Sequence, residues 1–286
     1  MGKLMCLIKA AGIALFLASC SLNAAQAGEK GKLYVVGMGP AGPDLTAPRA
    51  LAVIEKADLI LCSPGMPKKF AMFGRYIDPG KVAFDPWKEI FGKEARALKK
   101  KNYQQWLEKS EHHIKKVQAF LVQSIEKGKT VVLMDGGDPC IYGPSLNYLL
   151  KGFDEDLFEI IPGMSALNAA GAALKQTLTP EDVRFVLLAS ASSLLGDPPG
   201  KQDDIFKYLS RFETTMVLYM SLKSLNRVIK RFQEYYPLDL PIAVVYYAGY
   251  AEKEKVLRST IGSIIQDIKK MDEKWIGLVI VGKCAG

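Results

Sequence analysis

From Lys32 to the C-terminus, short β-branched or apolar runs alternate with amphipathic stretches. That alternation restricts the chain to an α/β fold, because runs with period 2 and stripes with period 3.6 bury their apolar faces only against one another. Strands are predicted at Leu33–Val36, Leu59–Cys62, Thr130–Met134 and Phe158–Ile161, then at Phe185–Ala189, Met216–Tyr219, Ile242–Tyr246 and Gly277–Val281. A hairpin partner is predicted near Lys255–Ser259. Helices are predicted around Pro48–Lys56, over 103–126, near Ser145–Lys151, and at Ala166–Leu174, Leu222–Glu234 and Ile261–Met271. The longest has Trp106, Ile114, Val117, Phe120, Leu121 and Ile125 on one face and stops at Gly128. A polar break at Gly152–Asp156 divides the chain into an N-terminal lobe, 32–152, and a C-terminal lobe, 153–286, with the ligand cleft expected between them. No internal repeat is present.

Bulk properties exclude several classes. With 286 residues, 49% of them hydrophobic, the chain can bury a large core and is not disordered. Its formal charge is +8, with lysines clustered at Lys68–Lys69, Lys99–Lys101 and Lys115–Lys116. Such clusters can attract nucleic acid, anionic lipid or a polycarboxylate; here they read as a solvated lysine-rich helix, with no nucleic-acid partner. Five cysteines contain no C-x-x-C, so neither a zinc site nor a disulfide framework is expected. Cys62, Cys140 and Cys284 lie in or beside apolar runs, as small buried fillers do. His112 and His113 are helix neighbours pointing about 100° apart, which prevents joint chelation of a metal. They read as part of a solvated helix, with axial haem ligation by one of them as the alternative.

Residues 1–27 have the form of an export signal. Lys3 and Lys9 provide the positive end, and the apolar run Ala10–Ala18 is too short for a permanent span. Leu17-Ala18-Ser19-Cys20 has lipobox form, which would make Cys20 the lipid-modified first residue, whereas Ala25-Gln26-Ala27 would instead leave Gly28 first. The chain is therefore expected to be exported, as a membrane-anchored lipoprotein or a periplasmic protein, or cytoplasmic if the signal is unused. Loss of Lys3 and Lys9 takes the charge from +8 to +6.

Gly37-Met38-Gly39-Pro40-Ala41-Gly42 matches the dinucleotide fingerprint in spacing alone. The third glycine should open a helix onto a pyrophosphate, but Pro43-Asp44 follows it; the ribose-binding acid expected after strand two is replaced by Cys62-Ser63-Pro64. A dinucleotide oxidoreductase is therefore the weakest reading of the chain.

Five segments, in order, carry a more specific pattern. They are Gly37-Met38-Gly39-Pro40; Asp135-Gly136-Gly137-Asp138-Pro139-Cys140-Ile141-Tyr142-Gly143; Ile161-Pro162-Gly163-Met164-Ser165-Ala166; Val217-Leu218-Tyr219-Met220; and Pro241 through Thr260. With them the chain resembles the tetrapyrrole methylases, the uroporphyrinogen-III and precorrin methyltransferases. The 29-residue step from Met220 to Gly249 fits as well. The resemblance implies two α/β lobes of that type, a homodimer, and S-adenosylmethionine bound between the lobes for transfer of a methyl group to a tetrapyrrole- or corrinoid-like acceptor. The cofactor contacts that it implies are Pro40, Gly136, Gly137, Asp138, Ile141, Ser165, Ala166, Met220 and Gly249. Their chemistry suits that ligand, since glycine exposes backbone groups, aspartate accepts hydrogen bonds, and methionine is polarizable and adaptable.

The acceptor side departs from the family. Its first loop usually reads Gly-Pro-Gly-Asp-Pro, whereas here Gly39-Pro40-Ala41-Gly42-Pro43 lacks the carboxylate, and Asp44 stands two residues on from its place. Ser63 stands where the uroporphyrinogen methyltransferases carry an aspartate after strand two, and Glu254 replaces a common glutamine. Ser63 and Asp44 are the weak catalytic candidates, and Lys68, Lys69 and Arg75 could pair with acceptor carboxylates. These departures keep a second reading open: an exported tetrapyrrole- or nucleotide-binding protein with this fold and no catalysis.

Overall fold

A computed structural model describes residues 31–63, 71–196 and 205–286. The export signal with Cys20, and Lys68 and Lys69, lie outside the described residues.

The first sheet contains β1 (Leu33–Gly37), β2 (Leu59–Leu61), β3 (Val82–Phe84), β4 (Val131–Asp135) and β5 (Phe158–Ile161), all parallel, in the order β3-β2-β4-β1-β5. Every residue of β4 is buried, as expected of a central parallel strand covered on both faces. One cover is α1 (Pro48–Lys56), whose Ala50 and Ile54 pack with Val36, Ile60 and Val132. The other is reached through α2 (Lys88–Phe91) and α3 (Lys93–Lys101) and is α4 (Tyr103–Glu126). Asn102 caps α4 by accepting from Gln105 N–H at 3.0 Å, and Val117, Leu121 and Ile125 pack with Val35, Leu61 and Leu133. The chain thus leaves β1 over one face and enters β4 over the other. Their carboxyl ends, Gly37 beside Asp135, mark the switch point where open α/β sheets bind ligands.

The second sheet contains β6 (Phe185–Ser190), β7 (Thr214–Tyr219), β8 (Pro241–Tyr246), β9 (Lys255–Thr260) and β10 (Gly277–Val281), in the order β6-β7-β10-β8-β9. The β6–β7 pair is parallel and the rest antiparallel. Its face toward the first lobe is covered by α5 (Ala166–Leu174), with Ala169, Ala170 and Leu174 against Val217, Val245 and Ile280. The opposite face is covered by α6 (Ala191–Leu195), α7 (Ile205–Leu209) and α8 (Leu225–Phe232), and α9 (Ile264–Asp267) follows β9. Period-2 alternation along β7 divides its side chains: Met216 and Leu218 enter the α8 core, Val217 the α5 core.

Several expectations shift. β5 pairs with β1, so the first sheet extends to Ile161 and the change of lobe falls in the connection to the second sheet rather than at 152–153. Gly152–Asp156 is only the turn into β5; β5 joins the first sheet because a parallel strand with Ile161 buried needs β1 as its neighbour. The expected helix at 145–151 is one π turn, Ser145–Leu149. β3, α2, α3, α6 and α7 are short elements beyond the sequence reading.

Candidate active site

The loops after β1, β4 and β5 meet through bare backbone. Gly39 and Gly137 exchange two hydrogen bonds, 3.1 Å from Gly39 N–H and 2.8 Å from Gly137 N–H. A Cβ on Gly163 would lie 2.2 Å from Gly137 O, and one on Gly37 would lie 2.5 Å from Gly163 N, so no side chain fits at either position. Gly137 itself has φ +76° with open space where a Cβ would project. Asp135 closes the underside. It is buried, accepts from Ser145 N–H at 3.1 Å and from Ser145 Oγ at 2.6 Å, and burial pushes its carboxyl up to about 6. Asp138 Oδ1 accepts from Cys140 N–H at 2.9 Å.

Across from these loops lies a cleft of about 270 Å³ whose walls include Pro40, Ala166, Tyr219, Met220, Tyr247, Ala248, Tyr250 and Trp275. Apart from Lys175, which ends α5, the non-glycine residues with positive φ among the described residues are Met220 (53°) and Tyr247 (50°), which line this cleft, and Tyr142 (60°), whose ring packs on that of Tyr219. Strain of this kind persists only where surrounding packing enforces it, and it gathers at ligand sites. Tyr219 is the hub. Its hydroxyl lies 2.8 Å from Ser165 Oγ and is also reached by the Leu167 amide, while its ring is 4.9 Å from that of Tyr142. Burial is the main cause that raises the phenol, with smaller contributions from Tyr142 and Asp138, so Tyr219 stays neutral and can donate at neutral pH. On the far wall, Tyr247 donates to Glu273 Oε2, and Glu273 Oε1 accepts from the amides of Trp275 (2.5 Å) and Ile276 (2.9 Å). Trp275 is half exposed, with Lys223 Nζ 4.0 Å from its ring centre.

Three of the nine cofactor contacts named from sequence line the cleft, and the others lie in loops next to those three. Pro40, Ala166 and Met220 line the cleft, and Ser165 reaches it through Tyr219. Gly249 lies between Ala248 and Tyr250, at a point where a Cβ would be 3.3 Å from Pro40 Cγ. Gly136, Gly137 and Asp138 form the loop bridged to Gly39, and Ile141 N–H bonds back to Asp138 O at 3.1 Å. The substrate-side candidates lie apart. Asp44 is exposed on the short turn Pro43–Leu45, Arg75 is exposed with its guanidinium over Tyr76, and Ser63 is half-buried past β2. Neither Asp44 nor Arg75 is at the cleft wall. Tyr142, Tyr219, Tyr247 and Trp275 escaped the sequence reading, because a single aromatic in or beside a strand reads as core; the clue available was the position of Tyr142, Tyr219 and Tyr247 inside the motif segments.

The profile of the tetrapyrrole (corrin/porphyrin) methylases matches residues 32–265. A cobalt-precorrin-4 C(11)-methyltransferase of Methanocaldococcus jannaschii is 28% identical over 255 residues, 88% of this chain and 87% of the relative. A uroporphyrinogen-III C-methyltransferase of Bacillus subtilis is 26% identical over 259 residues, 88% and 90% of the two chains. Among solved structures, a cobalt precorrin-4 methyltransferase has the same fold, with TM-score 0.70, 24% identity and coverage of 89% of this chain and 96% of that one. So does a uroporphyrin-III C-methyltransferase from Thermus thermophilus complexed with S-adenosylhomocysteine, at TM-score 0.58, 20% identity and coverage of 89% and 98%. With the loop glycines interlocked as described and the profile covering both lobes, the chain belongs to the tetrapyrrole methylase family.

Proposed function

We propose that this protein is an S-adenosylmethionine-dependent methyltransferase whose acceptor is a reduced tetrapyrrole or corrinoid. The observation that carries the reading is the Gly39–Gly137 bridge, which holds Pro40 and the Gly136–Asp138 loop beside the aromatic cleft. The residues present suit an adenosyl sulfonium. Open space in front of Gly137 leaves its peptide groups accessible, Asp138 is a carboxylate for hydroxyl or ammonium donors, and the aromatic walls suit a purine and a cation. Pro40, Gly136, Gly137, Asp138, Ile141, Ser165, Ala166, Met220 and Gly249 are the proposed contacts.

The bound cofactor supplies a methyl group on a positively charged sulfur. Protein groups supply alignment and a dry cleft, for which effective molarity is the large contribution. Ser165 and Tyr219 fix the N-terminal end of α5 against the cleft wall. Met220 and Tyr247, both held at positive φ, line the same cleft. Intact loops and family membership favour this enzyme over a binding protein that has kept the fold without catalysis.

Calorimetric titration of the full chain with S-adenosylmethionine and S-adenosylhomocysteine tests the reading, with saturable 1:1 binding expected. No heat at millimolar ligand would reject it.

The proposal extends to location and assembly. Residues 1–27 direct export, Cys20 carries the lipid, and the folded part assembles as a homodimer. Labelled palmitate incorporated by the wild type and lost in Cys20→Ala checks the anchor, and sedimentation velocity checks the dimer. Retention of the unprocessed chain in the cytosol, where S-adenosylmethionine is made, would instead show the signal to be unused.

A further inference from the structure

The carboxyl edge of the first sheet has two chemically different halves. Over β4, β1 and β5 it is mainly glycine backbone. Over β2 and β3 it carries side chains: Ser63 past β2, and Asp85 immediately after β3. β3 is two strands from β4, about 10 Å at ordinary strand spacing, with Ser63 on the strand between them.

Asp85 is held but not used up. Its Oδ1 accepts from Trp87 N–H at 2.9 Å, and its Oδ2 has no hydrogen-bond partner among the described residues. The turn that presents it is pinned from α4, where His113 Nε2 donates to Pro86 O at 2.9 Å. Trp87, buried in the α4 core, fixes the other side of the turn. Its surroundings are His113 on α4, Lys88 on α2 and the buried Cys62 thiol at the end of β2, which desolvation and then the charge of Asp85 push up to about 11.

We propose that Asp85 is the acceptor-side base of this enzyme: its carboxylate binds a pyrrole N–H of the acceptor and takes that proton when the ring is methylated. The proposal rests on the methyltransferase reading above. The step balances. When a neutral ring carbon gains a methyl cation equivalent, the ring holds one extra positive charge. The N–H bond then breaks, its electron pair stays on the ring nitrogen, and the proton forms an O–H bond with Asp85. Ser63 is a weak alternative, since a hydroxyl without a basic partner is a poor base. Desolvation is the largest influence on Asp85 and raises its carboxyl above the usual aspartate range, against lowering by the Trp87 amide, His113 and Lys88. That direction brings a base closer to working pH.

The competing role is structural: Asp85 as nothing more than the acceptor of the Trp87 amide. Asparagine fills that role about as well as aspartate, but it cannot take a proton, so Asp85→Asn separates the two. In the full chain, with uroporphyrinogen III as the acceptor probe and labelled S-adenosylmethionine, the variant is expected to lose at least about 100-fold in kcat/KM. It should also lose the acid limb of the kcat/KM–pH profile, with S-adenosylhomocysteine affinity and Tm unchanged. Uroporphyrinogen III binding, measured without the sulfonium, should weaken at least fivefold, although removing a negative charge would by itself tighten binding of a polycarboxylate. An unchanged rate and pH profile would overturn the role of Asp85. So would unchanged or tighter binding of uroporphyrinogen III. A wild type that binds neither S-adenosylhomocysteine nor the porphyrinogen would overturn the methyltransferase reading itself.

Discussion

Ser165 Oγ and Tyr219 Oη are 2.8 Å apart, joining the loop that leaves the first sheet to the last residue of β7 in the second. Ser165 occupies the N-cap of α5, yet its side chain makes no cap hydrogen bond and turns to Tyr219 instead. A polar group diverted from local capping to a cross-lobe contact ties the cleft walls together.

Tyr219→Phe removes that contact and keeps the ring against Tyr142. A lost intramolecular hydrogen bond costs about 1 kcal/mol, so S-adenosylhomocysteine should bind about fivefold more weakly. Calorimetry on the variant checks this; an affinity within twofold of wild type would show that the contact is not coupled to the ligand.

Gly137 and Gly163 should respond differently to alanine. At Gly137 the Cβ enters open space and costs about 1–2 kcal/mol of left-handed strain, so the protein folds while ligand affinity falls more than tenfold. At Gly163 the Cβ would meet Gly137 O at 2.2 Å, so Gly163→Ala should fail to fold or lose much of its stability. Thermal melts with and without S-adenosylhomocysteine distinguish the two.

Asp135 gives the fold a pH dependence of definite sign. Its carboxyl rises from 3.8 in the unfolded chain to about 6 on folding, with burial as the cause and the Ser145 bonds opposing it. The folded state therefore prefers the protonated acid. Its contribution is full below about 3.8 and is lost as pH rises through about 6, leaving a cost of about 3 kcal/mol at neutral pH. Asp135→Asn, which can still accept from Ser145 N–H and donate to Ser145 Oγ, should flatten the fall in Tm between about pH 4 and 6.5. An unchanged slope in that window counts against the ionisation.

Glu273 holds one rim of the cleft by accepting from Tyr247 and from the amides of Trp275 and Ile276. Glu273→Ala should free the 272–276 loop, shift Trp275 emission to the red and weaken S-adenosylhomocysteine binding threefold to tenfold. Trp275→Phe assigns the emission change to that residue among the three tryptophans.

The sequence by itself determined the α/β class and most strands, because β-branched runs such as Val131–Met134 can only be buried strands beside helices. It also singled out the loop glycines, since Gly136-Gly137-Asp138-Pro139 after such a run has few other uses. Tertiary structure alone decided that β5 closes the first sheet and that the short β3 exists. Strand pairing is a choice among partners, and three residues carry too little pattern to reveal it. It alone placed Tyr142, Tyr219, Tyr247 and Trp275 around one space and set Asp85 on the sheet edge with Ser63. Those groups come from segments far apart along the chain, and only the packing of helices on both faces of two sheets brings such segments together.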